Sequence, residues 1–263
     1  MLLPFTKAHG TGNNFIILYL PECSTFDLNA SLINKLCNIN TGVGADGLIT
    51  IDNHEKYDYK MDYYNNDGTW ETMCANGARC VGIFLKQKKI INNSACFLTG
   101  DGEHLIKIID GSSVALTIFP PEYTSGEIQV ENLSGFSVNS GAKHFVVEIN
   151  QDTNLEWESV GRKIRFSEHF PEGTNVNFVK RINNDTLQVI TYEKGVEKIM
   201  QSCGSGSVAA AYHMQKKYDL SCNLNIMVNG GKLLIKADEQ WKSVWLEGEA
   251  KILFNSQINI EIL

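Results

Sequence analysis

Two stretches decide how this chain folds: ETMCANGARCVGIFLKQ at 71–87 and MQSCGSGSVAAAYHMQKKY at 200–218. In each, a strand and a polar turn lead to a cysteine, a small residue follows, and an apolar run at helical spacing begins. The spacing predicts one helix starting just after Cys74, with Cys80, Val81, Phe84 and Leu85 on its apolar stripe. A second starts just after Cys203 and continues through SVAAAYHMQKKY. A shorter helix is expected over 30–37. Most of the rest reads as short strands broken by Gly, Asn and Asp, at 14–19, 47–51, 59–64, 114–119, 144–149, 177–179, 186–192 and 232–237.

The CANG and CGSG helix starts form a weak internal repeat, and NNFIIL at 13–18 echoes VNFVK at 176–180. The 263 residues therefore read as two related lobes. Residues 1–119 carry Cys74 and residues 120–249 carry Cys203, with Pro120-Pro121 between them and a terminal strand, 250–263, returning to the first lobe.

Composition narrows the function. A net charge of -7 and the lack of a Lys/Arg stripe interleaved with aromatics argue against a nucleic-acid partner. The opening MLLPFTKAHG is broken by Pro4 and Thr6, so it reads as neither a secretory signal nor a membrane span, and a cytoplasmic location is expected. Seven scattered cysteines suit reduced thiols better than a disulfide framework, so a Cys74–Cys203 disulfide ranks low. No CxxC or closely spaced Cys/His cluster announces a metal. Cys23, Cys37, Cys80, Cys96 and Cys222 are expected to be small buried apolar residues. GVGADG at 42–47 matches a dinucleotide pattern literally, but the LITI that follows reads as a strand where that pattern needs a helix.

The chemistry then centres on the two cysteines. A helix N-terminus presents N–H groups without intrahelical partners and the positive end of the helix dipole, which lowers a thiol pKa and attracts a carboxylate. Gly77, Gly204 and Gly206 are expected to let the backbone approach an amino-acid α-carboxylate. Inverting an α-carbon requires a base on one face and a protonated acid on the other, and two cysteines from opposite lobes meet that need across one cleft. Charge moving onto the carboxylate would be stabilised by the same N–H groups.

FTKAHGTGNNFIIL, TGVGADGL, NNDGTWETMCANGARC, GTNVNFV, EKGVEKIMQSCGSGSVAAA and NGGKLLI resemble, in order and over nearly the whole chain, the signature segments of the diaminopimelate epimerase family. The resemblance implies an α+β fold of two pseudo-symmetric lobes, each a curved, mostly antiparallel β-sheet wrapped around a central helix, with the active site between them. It implies a PLP-independent isomerase without cofactor, converting LL- to meso-diaminopimelate for lysine and peptidoglycan precursors, with Cys203 as base and Cys74 as acid in that direction. His144 and Glu193 fall where the family places groups that orient and tune the thiols. Asn13, Asn65 and Asn175 match substrate-contacting asparagines, and the N–H groups of Ala75, Asn76, Gly204 and Ser205 match the α-carboxylate cradle. A homodimer is also implied.

Three departures fall away from the acid–base pair. Ala75 stands where the family usually has Gly. GAKH places Ala142 and Lys143 where an amide and a proline are usual. EKG places Lys194 where the family's arginine would clamp the distal carboxylate, and a lysine cannot reproduce a bidentate fork. These changes leave open a racemase for another amino acid, such as glutamate or histidine, and a non-catalytic amino-acid binder. Lys143 and Lys194 still offer positive charge to a distal carboxylate, which keeps diaminopimelate the leading substrate.

Overall fold

In the computed structural model, which describes residues 1–150, 153 and 156–263, the chain divides into two compact units. Unit 1 comprises 1–116 and 248–263; unit 2 comprises 117–247.

Unit 1 is built from β1 (Leu2–Gly10), β2 (Asn13–Tyr19), α1 (Ala30–Cys37), β3 (Gly47–Asp52), β4 (Tyr59–Asn65), β5 (Trp70–Glu71), α2 (Ala75–Gln87), β6 (Ser94–Thr99), β7 (Gly102–Ile108) and β8 (Ser113–Ile118). β1 and β2 form an antiparallel hairpin; β2 runs parallel to β3, as the intervening α1 requires, and β3 turns back antiparallel to β4. β4 then pairs antiparallel with β5 and parallel with β6, the crossover between them containing α2. β2 and β3 are buried on both faces, and each face of β3 meets a helix. Leu48 packs with Ile33 and Leu36 of α1, whereas its neighbour Ile49 reaches Gly77 of α2. Each such buried side chain contributes about 1.5–3 kcal/mol of hydrophobic stabilisation. α1 starts at Asn29, whose side chain accepts the Leu32 N–H at 3.0 Å, a standard cap.

Unit 2 contains β9 (Glu122–Val130), β10 (Leu133–Asn139), β11 (Lys143–Glu148), α3 (Trp157–Arg165), β12 (Asn175–Arg181), β13 (Thr186–Glu193), β14 (Lys198–Ile199), α4 (Gly204–Tyr218), β15 (Asn223–Val228) and β16 (Gly231–Ala237). Its pairing repeats that of unit 1: β10 antiparallel to β11, β11 parallel to β12, β12 antiparallel to β13, and β13 antiparallel to β14 and parallel to β15. α3 occupies the place of α1, and α4 the place of α2. The last strand, β17 (Val244–Asn259), starts in unit 2 and pairs antiparallel along β1 in unit 1, Leu2 opposite Asn259 and Gly10 opposite Ala250.

The repeat is clearer in the pairing than in the sequence, and it corrects one expected echo. NNFIIL lies on β2, whose equivalent by pairing is β11, whereas VNFVK lies on β12, the equivalent of β3. α3 is not among the helices expected from the sequence. Its WESVGRKIR is mostly polar, yet Trp157 and Ile164 share one face and pack on Phe178, with the Trp157 and Phe178 rings 5.1 Å apart. The apolar stripe expected on α2 is a whole buried cylinder, since every residue from Ala75 to Leu85 is buried. Among the described residues no helix is long and apolar enough to cross a membrane.

Candidate functional site

In unit 1, Cys74 is the half-buried N-cap of α2, and the first intrahelical bond runs from the Ala78 N–H to the Cys74 carbonyl at 2.8 Å. Ala75 and Asn76 form the first turn and are both buried. Asn76 is held from two sides: its amide donates to Asn13 Oδ1 at 3.2 Å, and its Oδ1 accepts from Arg79 Nη2 at 2.8 Å. Arg79 also donates to Thr11 Oγ1 at 2.9 Å and is fully buried, which lowers its pKa to about 10; its Nε has no partner among the described residues. On the other side, Asn13 Nδ2 donates to Asp46 Oδ2 at 3.0 Å, and the same oxygen accepts from the Asn14 N–H and side-chain amide. Lys7, buried and with its pKa lowered mainly by that burial, donates to Asn14 Oδ1 and the Gly44 carbonyl. A chain of polar side chains thus runs from β1 to the start of α2.

Asn65 ends β4 opposite Gly47, accepts from the Tyr63 hydroxyl at 3.0 Å and donates to Thr69 Oγ1 at 3.2 Å. It braces the turn that leads to Cys74.

In unit 2, Cys203 is likewise the half-buried N-cap of its helix, α4. Its Sγ lies 3.7 Å from Ser205 Oγ, and Ser205 Oγ lies 3.0 Å from His144 Nε2. His144 Nδ1 is 2.8 Å from Asn177 Oδ1, and Asn177 Nδ2 donates to Thr191 Oγ1 at 2.8 Å. His144 is wholly buried, and desolvation of its charged form drives its pKa down to about 4, so the ring is neutral near pH 7. The Ser205 carbonyl accepts from Ser140 Oγ and the Cys203 carbonyl from Ser207 Oγ, each at 2.8 Å, so the first turn is clamped as in unit 1.

Glu193 closes β13, at the position that Asn65 holds on β4. The next residue, Lys194, gives its N–H to Asn175 Oδ1 at 2.9 Å, while the Asn175 amide donates to the Lys143 carbonyl at 3.1 Å. The exposed Lys143 ammonium is engaged by Glu172; the Lys194 ammonium is exposed and makes no ion pair among the described residues.

The structure thus joins Asn13 with Ala75 and Asn76 beside Cys74, and His144 with Gly204 and Ser205 beside Cys203. Asn175 and Lys194 form a neighbouring group in unit 2. Two expectations change. A Cβ on Gly77 would meet Ile49 Cδ1 at 2.5 Å and one on Gly206 would meet Asn177 Nδ2 at 2.3 Å, so these glycines seat each helix on its own sheet. Of the five cysteines expected to be buried, Cys37 and Cys80 are, whereas Cys23, Cys96 and Cys222 are half-buried. Burial raises the thiol pKa of all five, Cys37 to about 12.

Arg79, Asp46, Asn177, Thr191 and the Ser205 hydroxyl were not singled out from the sequence. Arg79 alone left a signal there, a charge within an apolar helical run. No group of three or more His, Cys, Asp or Glu among the described residues is disposed to hold a metal ion.

The family model described as diaminopimelate epimerase matches residues 5–118 and 136–253. A diaminopimelate epimerase of Flavobacterium psychrophilum is 35% identical over 96% of this chain and 98% of its own length. One of Aquifex aeolicus is 33% identical over 99% of both. Among solved structures, a hydroxyproline epimerase from Agrobacterium vitis superposes with a TM-score of 0.75 at 12% identity, covering 98% of this chain and 92% of that one. A PhzF-family protein of Bacillus anthracis gives 0.72 at 13%, covering 98% and 99%, and both likenesses concern the fold.

Proposed function

The chain belongs to the diaminopimelate epimerase family, and on that premise we propose that it interconverts LL- and meso-diaminopimelate by moving a proton on and off one α-carbon with the thiols of Cys74 and Cys203. The observation that carries this reading is the placement of a cysteine at the N-cap of the central helix in both units, at matched positions of one repeated pairing scheme.

The first-turn N–H groups of Ala75, Asn76, Gly204 and Ser205 bind the α-carboxylate. In the LL-to-meso direction the Cys203 thiolate takes the α-proton: the C–H bond breaks, S–H forms, and the electron pair spreads onto the carboxylate, where the N–H donors stabilise it. Cys74 then delivers its thiol proton to the opposite face, which leaves Cys74 ionised and Cys203 protonated. The reverse reaction exchanges the roles. A thiolate is accessible because a helix N-terminus lowers thiol pKa. His144 and Glu193 orient and tune the thiols, while Asn13, Asn65, Asn175 and Lys194 contact the substrate. No cofactor takes part in these steps.

Racemisation of glutamate or histidine and binding without turnover are not favoured, since relatives matched along nearly the whole chain are diaminopimelate epimerases. We further place the enzyme in the cytoplasm and as a homodimer; exposed Leu253 and Phe254 on β17 support association, and size-exclusion chromatography tests it.

The decisive experiment incubates reduced enzyme with LL-diaminopimelate in deuterated water. Meso product carrying α-deuterium is expected, with net turnover lost in Cys74→Ala and in Cys203→Ala. Full activity in either variant overturns the mechanism.

A further inference from the structure

The side chain of Ser205 sits between Cys203 and His144, and the hydrogen-bonding capacity of each group decides what it does there. Asn177 donates through Nδ2 to Thr191, so it turns Oδ1, which can only accept, toward His144 Nδ1. Nδ1 therefore carries the proton of the neutral ring, and Nε2 is left with a lone pair. Ser205 Oγ, 3.0 Å from that lone pair, must donate its only proton to it. Toward Cys203 Sγ, 3.7 Å away, the hydroxyl then presents lone pairs alone.

We propose that Ser205 is a positioning residue that biases Cys203 toward the protonated thiol in the resting enzyme, because its hydroxyl is committed to His144 and can accept from sulfur but not donate to it. The proposal rests on the reading of Cys203 as one of the two reacting thiols. In the roles given above, a protonated Cys203 is the acid of the meso-to-LL direction, so the resting enzyme is set for the meso isomer. His144 acts through Ser205 and need not change charge.

Several other titratable groups lie on the elements around α4, among them Tyr123 of β9, 3.0 Å from His213 Nδ1. Of the strands packed against the helix, β10 and β15 carry no titratable side chain. Besides His144, β11 carries Lys143, paired with Glu172, and Glu148, paired with Lys217. β12 carries Lys180 and Arg181 at its far end, and β13 carries Tyr192 and Glu193, the latter acting on the thiols alongside Ser205 in the reading above.

Two measurements test the proposal. Nitrogen-15 NMR of the wild-type enzyme at neutral pH should show His144 as the Nδ1–H tautomer; an Nε2–H tautomer overturns it. In a Cys74→Ala background, the pH dependence of Cys203 alkylation, followed on its peptide by mass spectrometry, should shift down by about half a unit in Ser205→Ala, the size of one neutral hydrogen bond. Ser205→Thr should restore it. An upward or absent shift overturns the proposal, since a hydroxyl that donates to the thiolate predicts a rise. Should Ser205→Ala fail to fold, the tautomer measurement still decides. Absence of α-deuteration with the expected tautomer and shift would instead discard the epimerase reading and leave this hydrogen-bond assignment standing.

Discussion

Asn76 and Asn13 are bonded to each other, Nδ2 to Oδ1 at 3.2 Å, across 63 residues of sequence. Arg79 holds the far side of one and Asp46 the far side of the other, so side chains tie the first turn of α2 to the start of β2. Ordered N–H groups beside Cys74 depend on that tie, because helix ends fray unless something holds them.

Arg79→Ala should therefore be costly. It removes a fully buried side chain and strips Asn76 Oδ1 and Thr11 Oγ1 of a donor. Cavity and desolvation together predict a loss of about 3–5 kcal/mol, read as a lower urea midpoint.

Gly206→Ala should harm both stability and turnover. The added Cβ would stand 2.3 Å from Asn177 Nδ2, so Asn177 must move and its bond to His144 is lost. A destabilisation of about 1–3 kcal/mol is expected, with a larger proportional fall in kcat.

Acid should weaken the fold in a defined window. His144 and His213 both have folded-state pKa values lowered from 6.5 to about 4 by burial. Between those limits the unfolded chain binds protons that the folded chain refuses, so stability is full above pH 6.5 and falls as pH drops toward 4. His144 alone should account for about 2–3 kcal/mol at pH 4.5. Urea titrations at pH 7 and 4.5 should show the drop, and His144→Gln should shrink it; equal stability at both pH values would refute the assignment.

Lys194 should govern KM. Its exposed ammonium makes no ion pair among the described residues, though it acts on the Glu172 carboxylate from a distance, whereas Lys143 is engaged by Glu172 directly. Lys194→Ala should raise KM for diaminopimelate roughly tenfold with kcat little changed, and Lys194→Arg should lower it, since a charge-assisted contact is worth about 1.5–3 kcal/mol and a fork improves it.

The helix starts were legible in the sequence because they are local: a cysteine, a small residue and an apolar run after a polar turn specify where α2 and α4 begin. α1 was also legible, as a short helix over 30–37. α3 was not, because its narrow apolar face, Trp157, Val160 and Ile164, is set among charged residues, and its partner Phe178 lies elsewhere in the chain. The polar chains behind each cysteine were illegible for the same reason. Asn177 and Thr191 look like ordinary strand residues until the sheet brings them to His144 and to each other.

β17 has a consequence for synthesis. The residues that flank β1 along its full length, 250–259, are translated only after all of unit 2. At about 5–20 residues per second, β1 is made about 12–48 s before this partner. Until then it has β2 on one side and an open edge on the other, a template for wrong pairing. The first half of the protein to be made is thus the last to be finished, and a nascent chain stalled before residue 248 would expose that edge to whatever strand came near.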